Sequence, residues 1–184
     1  MMKKTSFALH LCRSGSVESA AVKHSLPTIR LRSLSIALLC VLFGAGVATA
    51  APLAPGDAFP ALEGMQDQHE AAYAMPEGVG HVAVAFTMGV GKSANKALAE
   101  QGADYLPDSD AVFIANIYGM PAIGRFFAMP KMRKYPHRIM LADAEGLLDD
   151  FPQEEDRVTV FDLDASGRIL SIRYWDPESG EKPF

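Results

Sequence analysis

The apolar positions form unbroken runs in some places and a helical stripe in others. His81-Val-Ala-Val-Ala-Phe-Thr-Met88 is apolar on both faces, as a strand at the centre of a covered sheet must be, and Ala111-Val-Phe-Ile-Ala-Asn-Ile117 repeats the pattern. Between them, Gly89-Val-Gly-Lys92 reads as a turn and Ser93 as the N-cap of a short helix. Ala94, Ala97 and Leu98 give that helix its inner face, and Gly102 ends it. Pro121 suits a first helical position, and Ile123, Phe126 and Phe127 form an apolar stripe expected to face the core. Pro130 is expected to end or kink this helix near Met129.

A third strand is predicted over Arg138–Ala142, then an acidic turn at Asp143–Gly146 and one helical turn over Leu147–Phe151. Arg157–Leu163 and Arg168–Trp175 follow as strands, joined by the turn Asp164-Ala-Ser-Gly167; alternation in the second is imperfect. Residues 51–80, with breakers at Pro55-Gly56, Pro60 and Pro76, read as short extended pieces joined by turns, with room for a hairpin. The order βαβαβ closed by a hairpin predicts an α/β domain: a central mixed sheet with helices on both faces.

The chain of 184 residues has a different character at its start. Leu34 to Ala50 is apolar, follows Arg30 and Arg32, and closes on Ala48-Thr49-Ala50, the parts of a secretory signal peptide cleaved after Ala50. A membrane-spanning helix is the rival reading, and the run is short for one. Cys40 follows Leu39 rather than the small residue a lipidation signal wants. The 29 residues ahead of Arg30 are long for a basic leading region, which fits a start site further along the chain. The expected organisation is therefore 1–50 as extension and signal, 51–80 as the first segment of the domain, and 81–184 as its core.

Dividing the charges at Ala51 changes the electrostatic picture. Residues 51–184 keep 11 Lys and Arg against 21 Asp and Glu, a net charge of −10. Nucleic acid is excluded as a partner, because phosphate contacts rest on Lys and Arg. No stable membrane anchor is expected after cleavage. Both cysteines, Cys12 and Cys40, precede Ala51, so the exported part holds no disulfide and relies on an ordinary core.

Four stretches carry a family likeness: Thr87-Met-Gly-Val-Gly-Lys-Ser-Ala94, Ile114-Ala-Asn116, Met140-Leu-Ala-Asp-Ala-Glu-Gly146 and Val158-Thr-Val-Phe-Asp-Leu-Asp-Ala-Ser-Gly-Arg-Ile169. With them the chain resembles the thioredoxin-like superfamily, most of all its exported YtfJ-type branch that lacks redox cysteines. The resemblance implies a thioredoxin-like sheet and a bacterial periplasmic location. Active members carry a low-pKa thiolate at the start of the first helix. Here that stretch is Met88-Gly-Val-Gly-Lys-Ser93, without a thiol. The proline expected before the last central strand is missing from Gln153–Val158, with Pro152 upstream, and Asp176–Phe184 stands where a last helix would be.

Gly91-Lys92-Ser93 matches the tail of a phosphate loop, but Phe86 stands where its first glycine belongs. A glycine turn with a capping serine is the plainer reading. A small anion held at Gly89, Gly91, Lys92 and Ser93 is the functional one. Asp162-Leu-Asp-Ala-Ser-Gly167 begins like a calcium loop, yet Arg173 occupies the position of the bidentate glutamate, so a hairpin turn is expected. His69, His81 and His137 have no zinc spacing, and no metal or cofactor is expected. Asp149-Asp150 and Glu154-Glu155-Asp156 read as a solvated acidic loop. Within the basic stretch Lys131–Arg138, the residues Lys131, Arg133, Lys134 and Tyr135 form a candidate partner-docking patch near Met129 and Met132, set against a plain solvated helix end.

These readings converge on a redox-inactive binding or regulatory module of the cell envelope, with an unknown protein or small anionic ligand as partner. Two alternatives stay open: an oxidoreductase-like enzyme using a bound cofactor without thiol chemistry, and a structural subunit of an envelope assembly.

Overall fold

The computed structural model describes residues 51–184; the expected leader, Cys12 and Cys40 lie outside them. The elements in chain order are β1 (Gln66–Asp67), β2 (His81–Ala85), α1 (Met88–Gln101), α2 (Tyr105–Asp108), β3 (Ala111–Asn116), α3 (Ala122–Met132), β4 (Met140–Ala142), β5 (Val158–Leu163) and β6 (Ile169–Trp175). One sheet holds all six strands in the order β1-β4-β3-β2-β5-β6. β2, β3 and β4 run parallel, with Val82 opposite Val112 and Ala115 opposite Leu141. β5 is antiparallel to β2, β6 to β5, and β1 to β4. The α1 crossover between β2 and β3, with an antiparallel hairpin closing on the far side of β2, is a thioredoxin-like arrangement. β4 extends it outward through α3.

Two right-handed crossovers that step in the same direction place their helices on the same face of a sheet. The helices obey this, and so differ from the expected cover on both faces. Ala83, Ala85, Phe113 and Val160 face Val90, Ala94 and Leu98 of α1, Leu106 of α2 and Met132 of α3. The alanines of β2 leave room for α1 to approach. The opposite face, built on Val82, Val84, Ile114 and Phe161, is covered by irregular chain: Leu62 and Met65 from one side, Leu148 and Phe151 from the other. There Phe59, Phe151 and Phe161 meet edge-on, with centroids 5.4–5.6 Å apart.

The segment ahead of β2 crosses that second face. Gly56 N–H donates to Ile169 C=O (2.7 Å), and Ile169 N–H donates to Asp57 C=O (2.9 Å) beside β6. Gln66 then pairs with Leu141 on β4 and with Ala72 in a small hairpin. Arg138 holds this hairpin, with Nε 2.8 Å from Asp67 Oδ2 and the guanidinium over the Tyr73 ring. Gln68 is buried; its amide donates to His137 C=O and accepts from Ile139 N–H, both at 2.9 Å. After β6 the chain returns without forming a helix. Trp175 Nε1 donates to Glu181 C=O, Arg173 Nη1 to Pro183 C=O, and the Phe184 ring stacks on His81.

Four local expectations change. The N-cap of α1 is Thr87, extended at φ −117° and ψ 155°, so Gly89–Lys92 is helix and Ser93 lies inside it. Pro130 sits within α3, which ends two residues later at Met132. The amide that proline lacks is lost only from the helix's last turn, where fraying costs least. Leu147–Phe151 forms turns, although Leu148 and Phe151 are buried as a helical turn would have placed them. The stripe Ile123, Phe126 and Phe127 faces solvent, at 65%, 71% and 60% exposure. Among the described residues no helix is long and apolar enough to cross a membrane.

Candidate functional site

β2 ends at Ala85, and two residues later Thr87 Oγ1 accepts from Val90 N–H at 3.3 Å. That bond satisfies one of the amides a helix start leaves open; the others of the first turn keep no helical acceptor. Val90, Gly91, Ala94, Asn95 and Leu98 form the buried stripe of α1. Asn95 is the polar member. Its Nδ2 donates to Gly91 C=O at 2.7 Å, so its Oδ1 faces His137 Nε2, 2.9 Å away.

This geometry assigns the histidine tautomer. Asn95 Oδ1 can only accept, so His137 carries its proton on Nε2 and leaves Nδ1 bare. Nδ1 is buried without a partner, and the ring stacks on Tyr135. Burial penalises the charged ring and pushes the His137 pKa down to about 4.

α3 is placed by Arg125. Its guanidinium pairs bidentately with Asp143, and also donates to Ile117 C=O (3.1 Å) and Met120 C=O (3.4 Å). The ion pair holds the Asp143 carboxyl below its usual range. Gly124 lets the loop before α3 lie close, since a Cβ there would stand 3.1 Å from Met120 Cγ.

Between the first turns of α1 and the inner side of α3 opens a cleft of about 370 Å³. Met88, Gly91, Lys92 and Asn95 line one wall. Met120, Phe127, Ala128, Lys131 and Met132 line the other, Ala115 and Asn116 of β3 contribute, and Tyr135 adjoins them. The candidate residues divide around this cleft. Gly91 and Lys92 line it, as do Lys131 and Tyr135, so it draws together half of each candidate group. Gly89 is exposed beside it, and Ser93 is turned away, its Oγ donating to Glu178 at 2.9 Å. Lys134 is exposed. Arg133 is committed elsewhere, donating to Gln68 C=O at 2.9 Å and pairing with Glu70.

Lys92 and Lys131 pair with no carboxylate among the described residues. A second cleft, of about 500 Å³, lies along the other side of α3, but its Arg125, Asp143, Asp67 and Glu70 are held in ion pairs. Sequence reasoning pointed to the stretch from Met88 to Ser93 but missed Phe127 as a cleft wall, and Asn95 with His137 behind it. The available signal was Asn95 itself, a polar residue on an apolar helical stripe.

No three His, Cys, Asp or Glu side chains gather among the described residues in a way that suits a metal. Asp162 accepts from Arg173 Nε (2.9 Å) and Nη2 (2.8 Å) and from Ser171 Oγ, and lies 2.9 Å from His81 Nδ1; these partners, Arg173 foremost, hold its pKa far below the usual carboxylate range. Asp164 Oδ1 accepts from the amides of Ser166 and Arg168, shaping the hairpin turn. The cleft thus offers apolar surface, soft methionines and two unpaired cations.

No protein-family model matches the chain, and no curated protein matches it. Among solved structures, the thioredoxin domain of a thiol-disulfide oxidoreductase from Bacteroides vulgatus is similar at 13% identity, covering 68% of this chain and 92% of that one, with a TM-score of 0.48. A thio-disulfide isomerase from Thermus thermophilus is 15% identical over 66% of this chain and 87% of its own, with a TM-score of 0.44. A peroxiredoxin-like protein from Aquifex aeolicus is 11% identical, covering 68% and 78%, with a TM-score of 0.45.

Proposed function

We propose that the chain is an exported thioredoxin-like binding or regulatory module of the cell envelope, of the YtfJ-type branch, working without thiol chemistry in the bacterial periplasm. One observation carries the reading. The start of α1, where thiol-active relatives hold their nucleophile, instead lines an apolar cleft with Met88, Gly91 and Lys92. Residues 51–184 contain no cysteine. A site of this kind retains a ligand by burial and charge, since an apolar cleft with few polar groups is what binding sites are made of.

The test is an insulin-reduction assay on the full chain and on its Cys12→Ser/Cys40→Ser variant. Neither is expected to exceed the uncatalysed rate. Turnover by the cysteine-free variant would overturn the reading. For export, the protein recovered from the periplasm is expected to begin at Ala51; recovery of the uncleaved chain in the cytoplasm would contradict it.

A further inference from the structure

We infer that the α1–α3 cleft and the outer face of α3 dock a segment of a partner protein that presents large apolar side chains beside acidic ones. The inference rests on the reading of the chain as a binding module and names its partner chemistry.

The apolar surface is longer than the cavity. Phe127 lines the cleft, while Phe126 and Ile123 continue the surface outside it, more exposed still. The two phenylalanine rings meet edge-on with centroids 5.3 Å apart. A small molecule filling about 370 Å³ would leave Ile123 and Phe126 in water. An extended or helical segment covers both the cleft and the ridge, and contiguous exposed apolar surface of this kind marks interaction sites. Met88, Met120 and Met132 line the cleft, and flexible thioethers adapt to an inserted side chain.

Charge selects among occupants. Lys92 on one wall and Lys131 on the other are unpaired among the described residues, on a domain whose net charge is −10. Acidic residues flanking an apolar anchor would meet both lysines. A two-fold dimer through this patch would gather four lysines, unpaired among the described residues, into one interface, because an isologous contact uses the same patch on both copies. An anionic bilayer is disfavoured by the concave shape of the cleft, which a flat surface cannot fill.

The experiment measures anisotropy of short fluorescein-labelled peptides added to the processed protein recovered from the periplasm. One peptide carries Phe and Leu at i, i+3 and i+4 flanked by Glu; a second replaces Glu with Lys; a third replaces the apolar anchors with Ser. Saturable binding is expected for the first alone. Phe127→Ser is expected to weaken it by about tenfold or more, and Lys92→Glu/Lys131→Glu to shift preference to the Lys-flanked peptide. Equal binding of the Glu and Lys peptides, no binding, or binding indifferent to these substitutions would overturn the inference. So would a dimer that Phe126→Ser dissolves, or co-sedimentation with phosphatidylglycerol vesicles in place of peptide binding. The insulin assay tests the underlying reading separately. Peptide failure leaves that reading intact, and thiol turnover defeats it whatever the peptides do.

Discussion

Asn95 Oδ1 stands 2.9 Å from His137 Nε2, and this contact ties α1 to the segment entering β4 behind the cleft. The bond requires a proton on Nε2, and burial keeps the rest of the ring uncharged by holding the pKa near 4. An unfolded histidine titrates near 6.5. Between those values the unfolded chain binds a proton that the folded chain does not, so stability falls as pH falls through that window, by about 3 kcal/mol at most. Urea melts at intervals across the window measure this, and His137→Gln is expected to flatten the fall. A His137 ring resonance titrating near 6.5 would contradict it.

Asp162 governs a lower window. Its folded pKa is depressed by Arg173, with Ser171 and His81 assisting. A depressed carboxylate stabilises the fold above the unfolded pKa of about 3.9 and loses that contribution as pH falls below it. Asp162→Asn is expected to leave the His137 fall between about pH 6.5 and 4 unchanged and flatten the melt only below about pH 4. Guanidinium or thermal melts of the two variants side by side separate the effects.

The cap of α1 gives a sharper contrast. Thr87→Ala removes the side-chain acceptor of Val90 N–H and is expected to cost about 1 kcal/mol. Ser93→Ala, losing only an exposed bond to Glu178, is expected to stay within about 0.5 kcal/mol of the parent. Equilibrium unfolding decides, and the reverse ranking would restore Ser93 as the cap.

Two phenylalanines test which apolar residues hold the core. Phe113 is fully buried, and Phe113→Ala is expected to cost about 3–5 kcal/mol. Phe126 is 71% exposed, so Phe126→Ala is expected to change stability by no more than about 0.5 kcal/mol. Denaturant midpoints at constant m-value distinguish them.

The central strands were legible because both their faces are buried. Val82–Ala85 and Val112–Ala115 touch covered surface on each side, and a continuous apolar run is the direct trace of that. α3 was legible as a helix but not in its orientation. Periodicity shows that Ile123, Phe126 and Phe127 share a side; it does not say which way that side points. The orientation comes from Arg125 reaching Asp143, 18 residues along the chain, and from Met129 and Met132 packing toward the sheet instead. Thr87 and Ser93 are both good caps by chemistry. The choice followed from where β2 stops, at Ala85, a matter of strand pairing.

The candidate site was half legible for a related reason. Lys92 and Lys131 are 39 positions apart in sequence, and nothing local announces that α1 and α3 lie side by side on one face. Two crossovers stepping the same way bring them together. Arg133, in the same basic stretch as Lys131, is diverted by Gln68 and Glu70 from a distant hairpin that local pattern does not reveal.

The segment before β2 has a consequence for solubility. Residues 56–59 bond to Gly167 and Ile169 at the start of β6, and Gln66–Asp67 bond along β4, so one stretch of chain covers part of each margin of the sheet. Unpaired strand margins are templates on which other chains add. A chain beginning at His81 would keep every central strand and helix, yet bare Met140–Leu141 on β4 and the start of β6, and lose Leu62 and Met65 from the cover of the second face. The Pro- and Gly-rich stretch that reads as connecting chain thus shields part of the sheet's edges from added strands.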